Sequence, residues 1–393
     1  MDNNRPRSRE KRVVSGGTGV HKRGDGLGTG PVGNSNRPQG TSSGGGNNIR
    51  RGGGAIGFIV FILIFIFAGK GLLSSNNGSE IDYYDQDNVQ SSGQGSLNSF
   101  GGNDYDDPVY SGPDNTEQAD TTVAEGSRDK FTVLKGDGSD TVTIMVYMCG
   151  TDLESKYGMG TNDLTEMSKA DISDNINLIV YTGGCSQWKN NVINNKTNQI
   201  YRIRNGQLER LEADLGSEVM TKPSTLSGFI KYCARNYPAD RNELILWDHG
   251  GGSISGFGYD EKNAMSGSMT LAGINTALAD GGVKFDFIGF DACLMATVEN
   301  ALMLEQYGDY MIASEETEPG VGWYYTNWLN ELSRDTAKPT IEVGKRIVDD
   351  FVDVCNQKCP GQKTTLSVVD LAELKATVPA ELTDFAKSTS ELI

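Results

Sequence analysis

From residue 142 onward, the chain alternates short apolar runs with segments of helical pattern. Residues 142–148 and 176–181 are dense in β-branched and aromatic side chains, which favour strands. Strands that alternate with helices indicate a parallel sheet covered on both faces, so the sequence predicts an α/β fold. Residues 200–211 differ, because two short runs flank an Asn-Gly pair, which is typical of a hairpin turn. The predicted strands are 142–148, 176–181, 200–203, 208–211, 243–247, 285–290, 310–314 and 364–369, and the predicted helices are 164–170, 224–236, 271–279, 297–307, 341–354 and 371 onward.

Two polar motifs follow successive long strands of this pattern. Residues 247–252 read Trp-Asp-His-Gly-Gly-Gly, and residues 291–295 read Asp-Ala-Cys-Leu-Met. In an open parallel sheet, the carboxyl ends of neighbouring strands face one crevice, and ligands bind there. A thiol and an imidazole that meet in this crevice form a nucleophile–base pair. The chain has two histidines, and because His21 lies in a polar tail, His249 is the imidazole available to Cys293.

The residues around this pair suit acyl transfer. A thiol attacks as its thiolate, and a neighbouring imidazole removes the proton and later protonates the leaving amine. Cys293 precedes a predicted helix, whose N-terminal field favours the thiolate. The backbone N–H groups of Gly250 and Cys293 are predicted to form the oxyanion hole. A lone cysteine or histidine at a strand end is usually incidental, but the occurrence of both at successive strand ends favours catalysis.

The N-terminal third changes the sign of its charge across an apolar run. Residues 1–54 hold ten lysines and arginines against three acids, and residues 74–130 hold twelve acids against two bases. Residues 55–73 are almost entirely apolar and approach the length that crosses a bilayer. This pattern indicates membrane topology rather than nucleic-acid binding. We expect a disordered basic cytoplasmic tail, a transmembrane signal anchor and an acidic flexible linker before a folded domain at 131–393.

A removed signal peptide is the alternative for the apolar run. The basic flank is longer than a usual n-region and no A-x-A cleavage site follows, which favours an uncleaved anchor. Because positive flanks stay in the cytoplasm, we expect a single-pass protein of the cell membrane whose folded domain is extracellular. The chain ends at Ile393 inside a predicted helix without a C-cap signal, which is what a C-terminal truncation would leave.

Six cysteines are too few to build a disulfide scaffold. With Cys293 assigned as the nucleophile, Cys149 and Cys185 remain at the ends of two predicted strands, where they are expected near each other. Cys355 and Cys359 are one helical turn apart, a spacing that suits neither a zinc knuckle nor an easy disulfide. No histidine accompanies these cysteines, so no metal site is predicted.

Three further motifs accompany the histidine and cysteine motifs. They are residues 145–154 (Met-Val-Tyr-Met-Cys-Gly-Thr-Asp-Leu-Glu), 313–316 (Ala-Ser-Glu-Glu) and 319–323 (Pro-Gly-Val-Gly-Trp). Together the five motifs resemble the clostripain family, within the caspase-like group of cysteine peptidases, over about residues 140–393. The resemblance implies a caspase-like α/β/α sandwich with a mostly parallel central sheet, here preceded by a single transmembrane helix.

The resemblance also implies an activity. Members of the family are endopeptidases that cleave proteins or peptides after basic residues, which makes His249 and Cys293 the expected catalytic dyad. It further implies that Asp291 lines the pocket for the residue before the scissile bond (the P1 residue), where a carboxylate can pair with arginine or lysine. A helix N-cap is the alternative role of Asp291.

The chain departs from the family at one position of this pocket. A second acid is expected in the Pro-Gly-x-Gly-Trp loop of basic-specific relatives, and here that position is Val321. Glu316 is predicted to substitute for it, with Glu318 as the alternative. Trp323, beside Tyr324, is predicted to form an apolar wall for the substrate, with core packing as the alternative.

Relatives mature by cutting themselves between the histidine and the cysteine. In this chain the segment that follows His249 is polar, and Lys262 is its only basic residue before Lys284. Self-cleavage is therefore predicted after Lys262. Some relatives require calcium, but no EF-hand spacing is present, so calcium enters by family analogy alone and no other cofactor is expected.

Two other functions fit the same sequence. A catalytically silent surface binding module would keep the fold but lack a reactive thiol at Cys293. A transpeptidase would use the same acyl-enzyme and would give ligation products that depend on an added amine.

Overall fold

One mixed sheet organises the domain, and the computed structural model describes it within residues 95–96, 118 and 121–390. The strands are β1 Gly95–Ser96, β2 Val142–Cys149, β3 Ile176–Gly183, β4 Gln199–Arg204, β5 Gln207–Glu212, β6 Arg241–Trp247, β7 Phe285–Asp291, β8 Gly308–Ala313 and β9 Ser367–Asp370. The helices are α1 Thr151–Ser155, α2 Met159–Lys169, α3 Pro223–Asn236, α4 Gly252–Ser255, α5 Leu271–Gly281, α6 Val298–Leu304, α7 Tyr325–Arg334, α8 Thr340–Lys358 and α9 Leu371–Ser390, with a 3₁₀ helix at Glu261–Ser266.

The strand order is β1-β5-β4-β3-β2-β6-β7-β8-β9. The five central strands, β3-β2-β6-β7-β8, pair in parallel, and the flanking strands on both sides pair antiparallel. The prediction of an α/β fold is therefore confirmed, although the sheet is mixed, with parallel pairing confined to its five central strands. All central strands present their carboxyl ends at one edge, and the predicted site residues follow those ends.

Helices cover both faces of the sheet, which explains why its central strands read as unbroken apolar runs. Every residue of β2 is buried, and its side chains alternate between the two faces. On one face, side chains such as Val146 pack against α2, α7 and α8 through residues including Trp328 and Phe351. On the other face, side chains such as Tyr147 pack against α3, α5, α6 and α9 through residues including Phe229.

Most predicted elements lie within two to three residues of their observed positions, and the hairpin β4–β5 turns at Asn205 and Gly206. Helices α1 and α7 were not predicted. No helix or strand was predicted in residues 250–268 either, where the structure has α4, the 3₁₀ helix and bridges that join Phe257 to Gly250 and Met269. This segment is thus more ordered than its glycine content suggests.

The last residues of the predicted linker contact the folded domain. Arg128 donates to Asp309 Oδ1 at 2.8 Å and to the carbonyls of Glu305 and Gly308 at 2.9 and 2.6 Å. Asp309 is 1% exposed, and a buried carboxylate of this kind requires a partner, which residues 121–130 supply. Arg128 is therefore held by the folded domain, three residues before its predicted start at 131.

The predicted tail at 1–54 and the anchor at 55–73 lie outside the described residues, as does most of the linker. In the part of the chain that the structure describes, we find no helix that is both long enough and apolar enough to span a bilayer.

Candidate active site

The histidine and cysteine motifs meet through the register of β6 and β7. Trp247 pairs with Asp291 across these parallel strands, so His249 and Cys293 each lie two residues beyond the same level of the sheet. The two turns are in contact, because a Cβ atom on Gly250 would lie 2.0 Å from the carbonyl oxygen of Cys293. A glycine is therefore required where the histidine turn passes the cysteine turn.

Cys293 lies in a tight and enclosed turn. Its side chain is 4% exposed, and its Sγ accepts a hydrogen bond from the N–H of Glu318 at 3.3 Å. Burial, reinforced by the nearby carboxyl of Glu318, raises the pKa of the Cys293 thiol to about 12. The next residue, Leu294, has φ of 66°, a left-handed conformation that costs a non-glycine residue energy. Because its pKa is raised, the resting thiol of Cys293 is protonated, and a base is required to activate it.

His249 contacts an acid that the sequence analysis did not assign. Its Nε2 is 2.8 Å from Oδ1 of Asp152, in α1 directly after β2. Burial lowers the pKa of His249, but the hydrogen bond to Asp152 and the charge of Asp248 outweigh it, so the pKa is raised overall. Burial likewise opposes ionisation of Asp152, and the hydrogen bond to His249 outweighs it and lowers the pKa of Asp152.

Asp248 fixes the backbone of the histidine turn. One carboxyl oxygen accepts the N–H of His249 and the other accepts the N–H of Tyr259, both at 2.6 Å. The side chain is 3% exposed, and burial raises the pKa of Asp248 to about 7. This carboxyl joins the backbone of His249 to that of Tyr259. When it is ionised, it adds a second negative charge near the imidazole.

The N–H of Gly250 is directed away from the loop that covers it. Gly250 pairs with Phe257 in an antiparallel bridge whose hydrogen bonds are made by its neighbours: Gly251 donates to Gly256, and Gly258 donates to His249, both at 2.8 Å. In such a bridge the central residue points its own N–H to the opposite side. This geometry leaves Gly250 suited to the predicted oxyanion hole.

Two buried carboxyl groups lie next to Cys293. Asp291 accepts hydrogen bonds from Tyr325 Oη at 2.9 Å and from the N–H of Trp323 at 3.3 Å. Glu318 is 6% exposed, and neither of its carboxyl oxygens makes a well-formed hydrogen bond within the described part of the chain. Burial raises the pKa of Asp291 to about 7. The pKa of Glu318 is also raised, mainly by burial and next by repulsion from Asp291.

Two further predicted substrate-binding residues, Glu316 and Trp323, contact the cysteine turn but differ in exposure. Glu316 is exposed, and its backbone carbonyl accepts the N–H of Leu294 at 2.9 Å. Trp323 is fully buried, and its ring lies 2.7 Å from where a Cβ on Gly289 would be, so it packs in the core rather than forming an open wall. Trp323 thus fits its alternative role of core packing, and Glu318, the alternative to Glu316, is the glutamate buried beside Cys293.

Lys262, the predicted site of self-cleavage, lies in the 3₁₀ helix Glu261–Ser266. Its Nζ donates to the carbonyl of Asn195 at 2.7 Å, and its N–H donates to Oδ1 of Asp260 at 3.0 Å. Asp260 caps this helix and also accepts the N–H of Met220 at 2.9 Å. A peptidase would need this turn to open before it could cut after Lys262.

Sequence reasoning missed Asp152 as a partner of His249, and it missed the anchoring role of Asp248 and Tyr325. The contact of Asp152 arises because β2 lies next to β6 and both end at the same edge of the sheet, which only the structure reveals. The six cysteines are all buried and unbridged. Across residues 121–390, no three side chains of His, Cys, Asp or Glu come together as metal ligands.

Comparisons with known proteins agree with these motifs. A model of the clostripain family matches residues 146–392, which is more than half of the chain. Clostripain of Hathewaya histolytica is 26% identical over 268 residues, covering 57% of this chain and 48% of the relative. The chain thus spans about half the length of this curated relative.

Two solved structures are also similar. One is a secreted C11 cysteine protease from Bacteroides thetaiotaomicron bound to an irreversible peptide inhibitor, with a TM-score of 0.48, 23% identity, and coverage of 60% of this chain and 68% of that chain. The other is an inactive zymogen C11 protease from Parabacteroides distasonis, with a TM-score of 0.48, 23% identity, and coverage of 60% and 64%. The family match over residues 146–392 confirms the resemblance seen in the sequence, and the chain belongs to the clostripain family.

Proposed function

We propose that this protein is a cysteine endopeptidase in which Cys293 is the nucleophile and His249 the general base. The observation that carries the proposal is the pairing of Trp247 with Asp291, which sets both side chains at the same level of one sheet edge. The close passage of Gly250 over Cys293 brings the two turns together. Membership of the clostripain family supports the same assignment.

The proposed reaction uses groups already in place. The imidazole takes the thiol proton, and the sulfur attacks the scissile carbonyl, whose oxyanion is held by the N–H groups of Gly250 and Cys293. The imidazolium then protonates the leaving amine, and water hydrolyses the thioester. Because the N–H of Glu318 covers the sulfur in the resting domain, substrate entry requires this contact to open.

We propose that the P1 pocket prefers arginine or lysine. Asp291 and Glu318 are buried beside the nucleophile, and burial raises the pKa of both carboxyl groups. A guanidinium or ammonium group between them would compensate both charges and form charge-assisted hydrogen bonds. Glu318 then replaces the acid expected at Val321.

We further propose self-cleavage after Lys262 and a location outside the cell. Lys262 lies in the segment between the histidine and the cysteine, held by one cap and one side-chain hydrogen bond. The apolar run at 55–73 with its basic flank would anchor the chain in the cell membrane, with the N-terminus cytoplasmic. Substrates are proteins or peptides, and no nucleic acid takes part. The thiol and imidazole require no cofactor, and calcium remains a proposal by family analogy.

The full chain and its Cys293→Ala variant test these proposals with fluorogenic peptides carrying Arg, Lys, Leu or Asp at P1. We expect cleavage after Arg and Lys, dependent on Cys293, and a new gel band from a cut near Lys262. Parallel reactions with EDTA or added calcium reveal any metal requirement. Cleavage after Leu would retain the dyad but reject the basic pocket. A folded chain without activity under all conditions would favour the binding module, and amine-dependent products would favour the transpeptidase.

A further inference from the structure

The carboxylate of Asp152, which is not part of the proposed Cys-His dyad, faces the imidazole of His249. Asp152 Oδ1 lies 2.8 Å from His249 Nε2, and the two side chains are 17% and 20% exposed, so water screens the contact only partly. Asp152 follows β2 and so reaches the site from a third strand of the same edge. Building on the proposed function, we infer that Asp152 is the positioning residue of His249: it holds the ring and keeps the proton on Nε2, which leaves Nδ1 to take the proton of Cys293.

The donor and acceptor chemistry of the pair determines the tautomer. A carboxylate only accepts hydrogen bonds, and a neutral imidazole carries its single N–H on one nitrogen. Because the contact lowers the pKa of Asp152 against the effect of burial, the carboxylate is ionised and Nε2 must be the donor. When the ring gains the thiol proton at Nδ1, the same carboxylate stabilises the imidazolium that forms.

The segment that carries Asp152 is rigidly held. The preceding Thr151 has φ of 43°, which a β-branched residue adopts only where its surroundings impose it. The fully buried carboxylate of Glu154 accepts the N–H groups of Thr161 at 2.8 Å and Lys189 at 2.5 Å. This support restricts the backbone that carries Asp152, as orientation of a catalytic base requires.

Other charged or titratable groups also face the ring. Asp248 lies on the strand end that carries His249, and Lys156 is the C-cap residue of α1. Cys293 lies on the adjacent turn, which contacts Gly250. Lys156 also contacts the second oxygen of Asp152 at 3.2 Å. A test of Asp152 must therefore separate its effect on the ring from a general change in local charge or in stability.

Steady-state kinetics of the full chain provide the first test, using Asp152→Asn and Asp152→Ala. We expect kcat to fall by roughly 10²–10⁴-fold with KM changed far less, because orientation and base strength are lost rather than binding. The pH limb that reports His249 should move to lower pH. Asp280→Asn is the matched control, since its carboxylate pairs with Lys231 at 2.6 Å on the distant surface. Unchanged kcat in Asp152→Asn would overturn the inference.

Nitrogen NMR of ¹⁵N-histidine in the full chain tests the inference without relying on activity. The chain has two histidines, so a His21→Gln variant assigns the two rings. We expect His249 as the Nε2–H tautomer, titrating at a lower pH in Asp152→Asn. A wild-type ring protonated on Nδ1 would overturn the inference even in an active enzyme. If no peptide is cleaved but the ring behaves as expected, the proposed peptidase function fails and the positioning contact stands.

Discussion

Trp247 and Asp291 are register partners on β6 and β7, and this single pairing aligns His249 with Cys293. Each chain continues two residues past the pair, to His249 on one strand and Cys293 on the other. The N–H of Asp248 extends the contact by donating to the carbonyl of Asp291 at 3.3 Å. A shift of one residue between these strands would move Cys293 away from His249, so the proposed dyad depends on the sheet register.

Gly250→Ala should disrupt the contact between the two turns. The added Cβ would meet the carbonyl oxygen of Cys293 at 2.0 Å and Met295 Cγ at 3.0 Å, so the backbone must move. We expect kcat/KM to fall about 100-fold or more and the free energy of unfolding to fall by about 1–3 kcal/mol. Gly228→Ala is the control, because its Cβ meets nothing within 4 Å on the exposed face of α3 and should stabilise by about 0.5–1 kcal/mol. Equal activity in both variants would contradict the close approach.

Glu318→Gln should alter selectivity at P1 more than catalysis itself. Loss of one charge-assisted hydrogen bond, about 1.5–3 kcal/mol, predicts a fall of roughly 10–100-fold in kcat/KM for an arginine substrate. A leucine substrate should be unaffected. Glu316→Gln provides the comparison, because this exposed carboxylate lies two residues earlier and should leave both substrates unchanged. If Glu316→Gln instead lost cleavage after arginine and Glu318→Gln did not, the role predicted for Glu316 from the sequence would be restored.

The part of the site fixed by local pattern could be predicted from sequence. Apolar runs located β6 and β7, and parallel pairing implied that His249 and Cys293 would meet. The positions of Glu318 and Trp323 could not be predicted, because a coil segment has no periodicity to show which side chains face inward. Asp152 was missed for a different reason: its role depends on β2 lying beside β6, a strand order that composition does not encode.

The domain should be less stable at pH 8 than at pH 5. Burial raises the pKa of Asp291, Asp248 and Glu166 to about 7, whereas these groups ionise near pH 4 when unfolded. Between these values the folded state holds more protons, so the free energy of unfolding falls as pH rises. The raised pKa of His249 acts in the same direction. Urea unfolding at both pH values measures the difference.

Asp291→Asn should remove part of that pH dependence. The amide stays neutral at pH 8 and still accepts from Tyr325, so the variant should be more stable than the wild type there, by on the order of 2 kcal/mol. At pH 5 the two should be nearly equal. Cleavage after arginine should be lost at the same time. A variant that is destabilised at pH 8 would show that the carboxylate of Asp291 is compensated in the resting domain.

Asp260→Ala should accelerate self-cleavage after Lys262. The carboxylate of Asp260 accepts the N–H groups of Lys262, Asn263 and Met220 at 2.9–3.0 Å and is 1% exposed, so it holds the 3₁₀ helix closed. Loss of such a cap costs about 1–2 kcal/mol, and cutting through local opening should become roughly 5–30-fold faster. A gel time course measures the rate. Adding Lys262→Gln to the same variant should abolish the band, and Cys293→Ala should do so as well. A band that persists in the Lys262→Gln background would place the cut at another residue, whereas an unchanged rate in Asp260→Ala would show that opening of this turn does not limit the cut.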